Sequence, residues 1–130
     1  MDEVRKLLGE LYEANDRLEK ARTAVDEIEA ELASARKARD EWQAQRRDLQ
    51  ERALTLASDQ VNDHELVAWG CKLRNVLLRI PEVEKLVRLK TAQRSDALHD
   101  LHQAASAYGV VVHALEEACR KSFVPELAHG

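Results

Sequence analysis

From Val4 to Leu56 apolar residues recur at alternating intervals of three and four, in phase for eight heptads. One set runs Val4, Leu11, Leu18, Val25, Leu32, Arg39, Arg46, Ala53; the other runs Leu7, Ala14, Ala21, Ile28, Ala35, Trp42, Leu49, Leu56. Of these sixteen positions fourteen are apolar, and both exceptions are Arg. A period of 3.5 keeps such residues in a narrow seam on one side of a helix, where a single partner helix covers them. The stretch has no Pro, and Gly9 is its one Gly. Ala at three positions of the second set favours the close approach common in antiparallel pairs.

The partner is in the same chain. After the helix-breaking run Ser58-Asp59-Gln60-Val61-Asn62-Asp63, the alternation resumes. It passes through Leu66, Trp69, Leu73, Val76, Ile80, Val83, Val87, Lys90, Arg94, Ala97, Leu101, Ala104, Tyr108, Val111, Leu115 and Ala118. Asn62 or Asp63 caps this second helix, with Glu65 in its first turn. Two seams of equal length around one break predict an all-α fold, a long antiparallel coiled-coil hairpin. Its expected parts are helix 2–57, turn 58–64, helix 65–122 and a flexible tail over 124–130, with 1–123 a single domain. Facing positions then have numbers summing to 122, which sets Leu7 against Leu115, Leu18 against Ala104, and Ala53 against Trp69. Large faces small at many levels, as dense packing requires. Pro81 falls one place beyond the seam, where it removes a backbone donor and kinks the helix or breaks it into 64–80 and 82–122.

The second helix is apolar beyond its seam. Leu77, Leu98, Ala105, Val112 and Cys119 lie on one flank, and Leu86, Ala107 and Ala114 on the other, while the flanks of the first helix are polar apart from Leu8. A stripe that wide buries against more than one neighbour. The expectation is that two hairpins pair as a homodimer into a four-helix arrangement that buries it, with another protein as the alternative occupant. A chain folded back at Pro81 into a three-helix bundle would do the same. Within the seam, Arg39, Arg46, Lys90 and Arg94 are read as register-specifying polar residues whose stems snorkel out. The competing reading is a soft centre for a partner's acidic groups.

Composition narrows the function classes. Net charge is −4 with both signs interspersed, so no basic field is available for a phosphate backbone. No apolar run approaches the ~20 residues of a membrane span, and the acidic start lacks a signal peptide's pattern. Two Cys 48 positions apart suggest neither a metal pair nor a disulfide framework, so a reducing, cytoplasmic setting is expected.

Candidate chemistry is sparse. His99 and His102, with Asp96 and Ser106 within a turn, have the spacing of two metal ligands, but the heptad count points them outward and a closed site needs more. His113 is too far along the helix to contribute. Cys71 and Cys119 have no neighbouring His to activate them. Arg94-Ser95-Asp96-Ala97-Leu98-His99 resembles the Arg-x4-His motif of the HEPN ribonucleases, helical bundles of about this length. That resemblance implies metal-independent RNA cleavage by Arg94 and His99 at a dimer cleft, with Ser95 departing from the family's usual Asn, Asp or His. The architecture also resembles the helical hairpins of secretion-stalk proteins and phage assembly factors. The expectation is a non-enzymatic interaction protein with no cofactor, no metal and no catalytic residues. It binds another protein or itself, not nucleic acid, a membrane or a small molecule. The ribonuclease is the alternative.

Overall fold

Each helix begins and ends where its local chemistry dictates. In the computed structural model, which describes residues 1–58 and 60–123, α1 spans Asp2–Ser58 and α2 spans Asp63–Ser122. Acidic side chains occupy both first turns, Asp2 and Glu3 in α1 and Asp63 and Glu65 in α2, where they face the positive end of the helix dipole. Arg120 and Lys121 complement the negative end of α2. The side chain of Ser58 donates to the carbonyls of Leu54 and Thr55, the second of them among the last four acceptors that the end of α1 leaves open. Asn62 then caps α2, its Oδ1 accepting from the Glu65 backbone N–H at 2.8 Å. The connection is shorter than the expected 58–64, because Ser58 still belongs to α1 and His64 already belongs to α2. The expected tail, 124–130, lies outside the described residues.

The two helices pack against each other as a hairpin, and no described residue is in a strand. Of the sixteen seam positions of α1 all are buried or half-buried except Arg46; of those of α2, all except Leu66. The contacts fall into two compact units, one built of Met1–Ile28 and the chain from Arg94 onward, the other of Glu29–Gln93. In the first unit Val4, Leu7 and Ala118 form a buried cluster, with Ala114, Leu115 and Cys119 packed on it. That is the pairing a sum of 122 demands. In the second unit Leu32, Ala35 and Leu56 of α1 and Val76 and Ile80 of α2 are buried. Ala53, Leu56, Leu66 and Trp69 meet beside the connection, again in that register.

Pro81 does not divide α2. The helix is one element through it, so neither the expected break nor the folded-back three-helix bundle is adopted. Position explains why. Pro81 is exposed, while Ile80 before it is buried and Val83 after it half-buried. The missing N–H leaves the Leu77 carbonyl without its helical donor, on a side of the helix open to water. Seam packing on either flank holds the helical course.

Candidate interaction surface

Polar residues in the seam are resolved by their long stems. Lys90 is only about a fifth exposed, yet its Nζ reaches across to Glu31 of α1 at 2.5 Å. Its methylenes stay in the seam and its charge finds a partner at the edge. Arg39 lies half-buried and turns its guanidinium onto neighbouring Asp40, with Nε and Nη2 each 3.1 Å from Oδ1. Arg46 is the exception, an exposed side chain at a position that the count assigns to the seam. Arg94 is half-buried. A shallow groove lined by Arg39, Gln43, Glu84, Val87 and Arg88 runs beside this part of the second unit. It mixes both signs of charge, so it offers no concentrated field to an acidic partner.

Trp69 marks the register near the connection. Its indole N–H donates to the backbone carbonyl of Leu49 at 2.9 Å, so the ring packs in the seam while its one polar atom is satisfied by the opposite helix. The carbonyl has a second lone pair for this bond besides its helical one.

The sequence-predicted flank is distributed unevenly. In the first unit Leu98 and Val112 are half-buried and Ala105 is exposed, while Cys119 and Ala114 are drawn onto the Val4–Leu7–Ala118 cluster. Ala107 is half-buried. In the second unit Leu77 and Leu86 are both exposed. At the seven-residue step between Leu77 and Leu98 stand Glu84 and Thr91, so the line is interrupted by polar residues.

The most exposed large apolar residues of α2 in the second unit lie elsewhere. Val67 is 62% exposed, Leu78 57% and Leu89 53%, none of them on the seam or the two flanks singled out above. Their signal was an eleven-residue spacing, which a seven-residue count scatters over three different outward positions.

The residues weighed for chemistry stay apart. His99 and His102 are exposed, and His99 contacts Gln103 through its ring Nε2 at 3.1 Å. Among the described residues no three His, Cys, Asp or Glu side chains are grouped to hold a metal ion. Arg94 belongs to the half-buried seam and His99 to the exposed side of the same helix, five residues on, roughly 140° around the axis. Within one chain they do not converge. Cys71 is exposed and Cys119 half-buried, both as free thiols. No helix among the described residues is long and apolar enough to cross a membrane. Compared with protein-family models, with curated proteins and with solved structures, the chain matches none.

Proposed function

We infer that this chain is a non-enzymatic coiled-coil protein–protein interaction module of the cytoplasm, acting as an adaptor, an assembly scaffold or a regulator of its partner. One observation carries the reading. Helix α2 leaves Leu77, Leu78, Leu86 and Leu89 exposed although its own hairpin partner already covers the seam. Apolar side chains concentrated on one helix, beyond what the fold itself buries, mark a surface for another chain. The mixed, mildly acidic charge agrees with a protein partner or a second copy rather than nucleic acid. In the first unit Leu98, Ala105 and Val112 form a separate candidate flank, and in the second unit Leu77 lies on a flank of its own. Arg39, Lys90 and Arg94 serve register rather than binding, a reading that the Lys90–Glu31 pair supports for Lys90, while Arg46 stands exposed outside the seam.

The test is the paired substitution Leu98→Gln with Val112→Gln. Any association made through this flank should be lost in light scattering while circular dichroism stays strongly helical. Loss of helicity in the double variant would mean that both side chains are internal core, and this part of the surface would be withdrawn.

A further inference from the structure

Val67, Leu78 and Leu89 stand eleven residues apart, each more than half exposed, on the side of α2 turned away from α1. Eleven residues are three turns plus only about 20°, so the three side chains form a line spanning roughly 33 Å. The line is symmetric about its middle member. A helix laid antiparallel on an identical helix, with Leu78 over Leu78, sets Val67 of each copy against Leu89 of the other. Facing numbers then sum to 156. This is the condition for a two-fold interface, in which every contact occurs twice.

Charges along the line choose among the possible pairings. At a sum of 156, Arg74 faces Glu82 of the second copy and Glu82 faces its Arg74. Lys85 falls opposite Cys71, and His64 opposite Ala92; no like charges are opposed. Glu82 now pairs with Arg79 of its own helix at 3.3 Å, an exposed contact that exchanges at little cost. A slip to a sum of 167 keeps Leu78 against Leu89 but sets Val67 against Asp100, and covers four apolar side chains rather than six. A slip to 145 sets Glu82 against Asp63. Parallel pairing also stacks the three apolar residues on themselves, but places Arg74, Glu82 and Lys85 each against its own copy.

We propose that a second copy of this chain covers the Val67–Leu78–Leu89 face, in an antiparallel two-fold pair centred on Leu78. This rests on the interaction reading above and names the occupant of one of its surfaces. A strip about 33 Å long and about 10 Å wide buries roughly 700 Å² over both copies, below the ~1,200 Å² of lasting complexes. The pair is therefore weak and reversible, with monomer and dimer exchanging as concentration changes.

Cysteine crosslinking and light scattering on the full chain test it. Wild type should pass from monomer towards dimer over roughly 10–500 µM, and Leu78→Glu should weaken that dimer about a hundredfold with helicity unchanged. With Cys71 and Cys119 replaced by Ser, Leu78→Cys should oxidise to a covalent dimer, while Leu54→Cys, exposed on α1, should not. Val67→Cys should crosslink only when mixed with Leu89→Cys. Arg74→Glu or Glu82→Arg alone should weaken association, and the two together should restore it. A Cys71 disulfide forming readily in wild type would mean a pairing other than the one centred on Leu78 and overturn the proposal, as would Leu78→Cys crosslinking no better than Leu54→Cys. Association that Leu78→Glu leaves intact but the Leu98/Val112 pair abolishes would overturn this contact and leave the interaction reading standing. A monomer at every concentration would remove the second copy as occupant, and the interaction reading would then need a different protein partner.

Discussion

Replacing Leu18 by Asp tests whether the seam holds this fold together. Leu18 is 5% exposed in the middle of the first unit, opposite Ala104, which is also buried. The substitution forfeits about 2 kcal/mol of apolar burial. It also puts a carboxylate into an apolar seam with no cation on the seam beside it, and Arg22, one turn on, is exposed and already paired with Glu19. A hairpin seam is thin, so the new carboxylate can rotate towards water and limit the penalty. The sum is a loss of about 3 kcal/mol or somewhat more. At an m-value of roughly 2 kcal/mol per M, the urea midpoint should fall by about 1.5 M. Leu54→Asp is the control: the same chemistry on the same helix, at a side chain 76% exposed, and its midpoint should move by less than about 0.3 M. Both variants are followed by circular dichroism at one fixed protein concentration, because association raises apparent stability. Equal shifts for the two variants would refute the reasoning, since position in the seam would then carry no energy of its own.

Gly109 lies in α2 without a positive φ and with open space where a Cβ would stand, so Gly109→Ala should stabilise by up to about 1 kcal/mol, seen as a raised urea midpoint. Trp69→Phe removes the donor to the Leu49 carbonyl and should cost about 1 kcal/mol or somewhat more, with helicity retained in the absence of denaturant. Arg94→Ala and His99→Ala should leave RNA as intact as wild type does in a gel assay without metal; cleavage that both changes abolish would establish the ribonuclease instead.

Both seams, a cap at Asn62 or Asp63 and the 122 register were legible in the sequence, because each depends on local spacing; the structure selects Asn62. An apolar side chain every three or four residues fixes which side of its own helix it occupies, and a short polar break then leaves antiparallel pairing as the way to cover both seams. Helix ends were legible for the same reason, Ser58 and Asn62 acting on backbone groups within four residues. What the heptad count could not supply is how far one helix covers the next. Leu98 and Val112 are half-covered, Cys119 is drawn onto the core cluster, and Arg46 is turned out of the seam, although the count gives each the same standing as its neighbours on the same line. Pro81 was legible as a lost hydrogen bond, but its consequence depended on packing by Ile80 and Val83 around it. The destination of the Lys90 charge, Glu31 on the opposite helix, is a matter of reach between two backbones 59 residues apart in sequence. Periodicity gives direction around one axis; burial is a property of two surfaces in contact, and only the packed helices decide it.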